Sequence, residues 1–203
     1  MISKGQYINF AVGGGLIGLI TSIAISEVGD YVFLRKELKL QELLVATGIK
    51  PIDYILGMSI GNLIFSLPAI IFYIILGIFL NILNLLNIIE ILILCIILMI
   101  SLSSLAFLIS TYVKYSRYSW GIAGVLSVFL SVIPPIYYPY TNLNEIALYI
   151  LLIIPSTPAS IIAQTLLGLQ SSIVDYNLAL IILIFETVIY TILAIKYSRW
   201  SEI

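Results

Sequence analysis

Long stretches with little or no charge set the terms for any fold of this chain. Residues 7–28, 52–80 and 88–112, and again residues 177–195, are predominantly apolar, and each approaches or exceeds the roughly 20 residues that a helix needs to cross the hydrocarbon layer of a bilayer. A further run, residues 119–133, is cut short by Pro134-Pro135. With 62% hydrophobic and 9% charged residues and a mean hydropathy of +1.18, the sequence falls far outside the range of a soluble domain. It reads as an all-α integral membrane protein with about five transmembrane helices.

The same composition excludes several chemistries. A net charge of -1 gives no basic surface for nucleic acid. There is no histidine, and Cys95 is the single cysteine, so the usual zinc ligand sets, histidine general bases and disulfides are absent. Gly13, Gly14 and Gly15 sit between apolar flanks with no following Lys-Ser or Lys-Thr, which suits close helix packing and not a phosphate loop. No acidic cluster is placed to hold magnesium. The chain is therefore expected to be no enzyme and to carry no cofactor. Its first apolar run continues for about 20 residues without a small-residue cleavage site, and is read as a retained span.

Charge is concentrated in residues 31–51, YVFLRKELKLQELLVATGIKP. Leu40, Leu43, Leu44 and Thr47 recur at helical spacing, and Arg35, Lys39 and Glu42 line the opposite side. Gly48 offers a stop that Pro51 reinforces. The pattern predicts a short amphipathic helix over about 34–48, between two spans. Pattern alone leaves two readings open: an interfacial helix lying on anionic lipid, or a docking element for another protein.

The order of residues in this loop resembles the first cytoplasmic loop of ABC type-2 transporter permeases. A basic pair precedes an acidic residue and Gln41-Glu42-Leu43-Leu44, followed by a turn residue, Pro51 and Leu56-Gly57; Glu42 takes the place of the acidic residue of that family, while Lys39-Leu40 stand where it commonly has Gly-Thr. The resemblance implies a cytoplasmic coupling helix in which Arg35, Lys36, Glu37, Lys39, Glu42, Leu43 and Leu44 contact a separate ATP-hydrolysing subunit. It also implies that ATP is bound on that partner and that two permease copies enclose the path. Such permeases usually have six spans, so the first run here is expected to match their second. Whether the chain is a shortened version or lacks upstream sequence stays open.

The remaining elements follow from prolines and charge. Gly57-xxx-Gly61, Asn62, Ser66 and Pro68 are expected on a packed, kinked part of the second span, and Tyr137, Tyr138 and Tyr140 at the headgroup level. Ser101, Ser103 and Ser104 can bond within their own helix or across to a neighbour. Residues 143–169 hold two short apolar pieces separated by Pro155-Ser156-Thr157-Pro158. If that segment is re-entrant, Arg35, Lys36, Lys39 and Lys50, then Lys114 and Arg117, then Lys196 and Arg199 all fall on one side, which the positive-inside rule makes cytoplasmic. An external re-entrant helix pair, an outer N-terminus and a cytoplasmic C-terminus in the cell membrane are therefore expected.

Glu186 lies in the middle of the last run, where a charged side chain costs about 2.5 to 3.5 kcal/mol on insertion scales. It and Asn62 are the candidates for the transport path or a helix interface; a purely structural, hydrogen-bonded carboxyl is the competing reading. Glu27 and Glu90 lie nearer span ends and are expected to be cheaply solvated. The resulting expectation is the permease subunit of an ATP-binding cassette exporter. A non-transporting scaffold or assembly subunit with a lipid-binding helix is the alternative, and an intramembrane enzyme has no nucleophile and base pair to support it.

Overall fold

The computed structural model describes residues 4–168, 174–198 and 200. Among these, eight α-helices and one short 3-10 turn account for all regular structure. The first, α1 (Lys4–Lys36), runs eight residues past the end expected from hydropathy. Loss of apolar character is not a helix stop: nothing between Gly29 and Lys36 breaks a helix, and Arg35 and Lys36 in its last turn complement the negative end of the helix dipole. Arg35 and Lys36 therefore belong to α1, and the expected helix over 34–48 contracts to α2 (Leu40–Ala46). Left-handed backbone at Lys39 (φ 50°) and Gly48 (φ 79°) brackets it.

α3 (Pro51–Phe79) opens with proline in its first turn, and its Asp53 carboxylate accepts the Lys50 N–H at 3.1 Å. Pro68 lies inside α3 without interrupting it. Asn84 caps α4 (Leu85–Tyr112) by accepting the Asn87 N–H at 3.0 Å. After α5 (Ser116–Val132) and the 3-10 turn (Tyr140–Asn142) come α6 (Glu145–Leu151) and α7 (Ser156–Leu166), bent by 114° at their break, and finally α8 (Tyr176–Tyr197). Residue 169, the end of the expected re-entrant segment, lies outside the described residues.

By length and composition α1, α3, α4 and α8 can each cross a membrane. α5, at 17 residues, is shorter, but it does not stop where its helix stops. Trp120 sits over Gly29, Ser131 meets Ser22 at 3.5 Å, and Ile136 and Tyr137 reach Gly14 and Gly18. The stretch from Trp120 through Pro134-Pro135 to Tyr137 thus runs antiparallel to α1 from Gly29 back to Gly14, about 22 Å at 1.5 Å per residue.

The two ends of the bundle differ. At one, Arg35 donates to the Ser110 carbonyl, Thr111 to that of Ser198 and Gln41 to that of Trp200. This end gathers Arg35, Lys36, Lys39, Lys50, Lys114, Arg117 and Lys196; Arg199 of the same cluster lies outside the described residues. At the other, Asn9 and Asn87 donate to the Leu167 and Leu166 carbonyls at 3.0 and 2.7 Å, and Gln164 donates to that of Pro135 at 2.6 Å. Tyr140, expected at the headgroup level, is instead buried there, its hydroxyl donating to the Val174 carbonyl at 3.3 Å. The α6–α7 break reaches inward, where Ser156 donates to the Leu130 carbonyl and Tyr190 to that of Ile153. α7 then returns to the end it came from.

Glycines divide into two kinds. A Cβ on Gly14 would stand 2.5 Å from the Ile136 carbonyl oxygen, whereas nothing lies within 4 Å of Gly57 or Gly61. Gly57 and Gly61 therefore do not share the packed face of α3 expected for them; Asn62 and Ser66 turn inward and the two glycines turn out. Gly14→Ala is expected to lower the thermal stability of the detergent-solubilised protein by about 1 to 3 kcal/mol, the usual cost of overpacking. In the detergent-solubilised monomer, Gly57→Ala and Gly61→Ala should be neutral or slightly stabilising through helix propensity. Equal melting shifts for the two kinds would contradict this packing.

Candidate functional site

Two regions bring together the polar side chains that sequence reasoning singled out. The first is the face made by the end of α1, α2 and the start of α3. Seven residues are too few to hold a helix by themselves, so the placement of α2 depends on what it packs against. Its one fully buried side chain is Gln41, 5% exposed, and Leu40 and Leu44 are half-buried beside it. Leu43, expected on the buried side, is 63% exposed and stands next to exposed Glu42 and Thr47. The buried side of the helix is thus rotated toward Gln41, because Gln41 finds a carbonyl to bond and the periodicity of leucines alone does not record that.

The other charged residues separate by role. Lys36, Glu37, Lys39 and Glu42 are exposed, with exposed Leu38 among them. Arg35 is half-buried and turns back to bond the end of α4 at Ser110. The exposed face therefore presents both signs of charge around two leucines, Leu38 and Leu43.

Beneath this face lies an aromatic layer. Tyr31 packs edge-on against Tyr54 and Phe107, with centroids 5.3 and 5.0 Å away, and Trp200 lies against Tyr54 at 5.3 Å and Phe107 at 6.0 Å. Such pairs add roughly 0.5 to 1.5 kcal/mol each beyond their area burial. The layer joins α1, α3, α4 and a residue three positions past the end of α8. Sequence reasoning passed over Trp200; a tryptophan following the last apolar run was the available signal.

The second region lies in the middle of the bundle. Glu27 is fully buried, accepting from Asn62 Nδ2 at 2.7 Å and from the Ser103 hydroxyl. It was expected to be cheaply solvated at a span end. Because α1 continues to Lys36, Glu27 lies about 13 Å inside the helix end, and its solvation must come from protein. Glu90, by contrast, is exposed near the start of α4 and accepts from Tyr176 at 3.1 Å. Asn62 thus faces α1 as a helix-interface residue.

Glu186 falls on the inward stripe of α8 with Ala179, Leu183 and Ala194. It is 7% exposed, and both its carboxyl oxygens are buried without a hydrogen-bond partner among the described residues. Beside it along α8, Thr191 meets Ser104 at 2.9 Å. A cleft of about 440 Å³ opens elsewhere, over α1, between Tyr73 and Tyr137 with Gly15, Gly18 and Ser22 on its floor.

The two carboxyls should respond oppositely to removal. Glu27→Leu leaves Asn62 and Ser103 unpaired, a loss of about 1 to 3 kcal/mol per buried group, while Glu27→Gln retains acceptors for both. Glu186→Leu strands no partner among the described residues and is expected to be neutral or stabilising. Thermal melts of the three variants in one detergent check this, and a larger loss in Glu186→Leu than in Glu27→Leu would contradict it.

Comparison with known proteins agrees with the geometry. No curated protein and no solved structure matches the chain significantly. A family model described as ABC-2 family transporter protein matches residues 3–196, which takes in every described helix and stops one residue short of the end of α8. The chain belongs to the ABC-2 family of transporter proteins.

Proposed function

We propose that this chain is the membrane permease of an ATP-binding cassette exporter, driven by a separate ATPase that docks on α2. Membership of the family supports a transporter permease subunit. The observation that carries the coupling reading is the exposed face at the basic end: Leu43 at 63% and Leu38 at 56% exposure, flanked by Lys36, Glu37, Lys39 and Glu42. A helix lying on anionic lipid would favour basic residues and keep acidic ones away from the headgroups. Glu37 and Glu42 interleaved with Lys36 and Lys39 around Leu38 and Leu43 suit a protein surface instead, with apolar anchors inside a polar rim of both signs.

Closure of the ATPase would push on α2, and the push would pass to α1 and α3 through the short joints at residues 37–39 and 47–50. ATP chemistry belongs to the partner; this chain supplies the docking face and the moving spans. A second permease copy completes the path. The open small-residue faces, Gly57 and Gly61 on α3 with Gly121 and Gly124 on α5, support this because they let another helix backbone approach closely. The basic end is taken as cytoplasmic by the positive-inside rule, which puts the start of α1 and the α6–α7 pair on the outside of the cell membrane.

Two experiments test these assignments. Leu43→Asp and Glu42→Lys should each lower the amount of ATPase retained on the purified permease at least tenfold, the loss of one interfacial anchor at about 1.4 kcal/mol per decade, with unchanged membrane levels. Full retention by both variants would remove α2 as the docking element. In a Cys95→Ala background, Asn144→Cys should react with an impermeant thiol reagent added outside intact cells and Thr47→Cys should not. The reverse labelling would invert the topology.

A further inference from the structure

Among the described residues, Trp200 makes more directed contacts with the α2 segment than any other residue outside it. Its backbone carbonyl accepts from Gln41 Nε2 at 3.0 Å, near the start of α2. Its indole Nε1 donates to the Ile49 carbonyl at 3.0 Å, in the turn that follows α2. Its ring lies against Tyr54 of α3 and Phe107 of α4. Gln41 is the only fully buried side chain of α2, so the one inward hydrogen bond of that helix ends on Trp200.

We propose that Trp200 is a positioning residue that pins both ends of the α2 segment to the last span, so that displacement of α2 is delivered to α8 as well as along the chain to α1 and α3. The proposal rests on the reading of α2 as the docking element. The physical basis is the shortness of α2: seven residues joined through left-handed backbone at Lys39 and Gly48 have no rigidity of their own. A push on such a segment moves the bundle only if the segment is fastened to it. Sequence-adjacent joints fasten it to α1 and α3. Trp200 adds a fastening from a residue more than 150 positions away in the chain, three beyond the end of α8, and α8 carries Glu186 and holds the α6–α7 break through Tyr190. Two directed bonds on one residue fix both translation and tilt of α2, which an apolar contact alone would not do.

Hydrogen exchange on the full-length protein in nanodiscs tests this without any ATPase present. Trp200→Ala removes the indole donor and the ring that seats the residue on Tyr54 and Phe107, so the backbone carbonyl that Gln41 reaches is no longer held in place. It is expected to speed amide exchange in residues 40–49 at least tenfold while leaving residues 94–102 of α4 unchanged, which separates loss of the pin from general unfolding. Trp200→Phe keeps the aromatic packing and loses only the indole donor, so it should fall between wild type and Trp200→Ala. Gln41→Leu should loosen the start of α2 more than residues 47–49. Leu43→Asp, on the exposed face, should leave exchange at wild-type rates while releasing the ATPase. Unchanged protection of residues 40–49 in Trp200→Ala would overturn the pin whatever the ATPase does. Faster exchange in Trp200→Ala, in a protein that never retains an ATPase even as wild type, would uphold the pin and remove the docking reading beneath it. With the ATPase bound, Trp200→Ala should reduce permease-dependent stimulation of hydrolysis at saturating ATPase at least fivefold, and Trp200→Phe should restore part of it; wild-type stimulation in both would overturn the coupling role of the pin.

Discussion

The interior of this bundle is organised by what α4 can do for polar groups that have no access to water. Ser103 turns to α1 and donates to Glu27, which also accepts from Asn62 of α3; the next residue, Ser104, turns the other way and meets Thr191 of α8. Adjacent residues on a helix point about 100° apart, so one Ser-Ser step serves two neighbours. In hydrocarbon an unsatisfied polar group costs several kcal/mol. The register of α1, α3 and α8 against α4 is therefore set by these few bonds, while the apolar surfaces between them would tolerate sliding. The close approach to α1 of α5 over Gly29, and of the turn after α5 over Gly14 and Gly18, completes the packing by shape.

The membrane-spanning, all-helical class was legible because hydropathy and length act over 20 residues at a time and no tertiary contact is needed to read them. The location of the site was less legible. Hydropathy ended the first span at residue 28, while the helix itself continues to Lys36, and that difference of eight residues moved Glu27 from a solvated end to a buried interior. Leucine periodicity put Leu43 on the inner face of α2, yet a single polar residue, Gln41, found a carbonyl to bond and set the rotation of the helix. Trp200 gave only the weak signal of an aromatic near a membrane surface, since its partners Gln41, Ile49, Tyr54 and Phe107 are scattered along the chain. For the rotation of α2 and for Trp200 the missing information was a long-range hydrogen bond.

These features divide the chain into a basic end and an interior. At the basic end a short helix carrying exposed leucine and charge is held on a layer of four aromatic rings. About 13 and 16 Å inside the ends of α1 and α8, at 1.5 Å per helical residue, Glu27 and Glu186 occupy the interior on either side of α4, one fully bonded and the other without a partner among the described residues. The Glu27 junction joins α1, α3 and α4 into one unit, and α8 is tied to that unit by Ser104 within the bundle and by the Trp200 contacts at its end. Motion imposed on α2 would pass to α1, α3 and α4 through the Glu27 junction and toward α8 through the Trp200 contacts.

The central claim is that the exposed face of α2 meets an ATP-binding subunit. A photo-crosslinking side chain at position 43, with a matched one at position 146, exposed at the opposite end of the bundle, tests it in intact cells. The account predicts an adduct from position 43 with a polypeptide that binds ATP, and none from position 146. No adduct from position 43, or the same adduct from both positions, would contradict it.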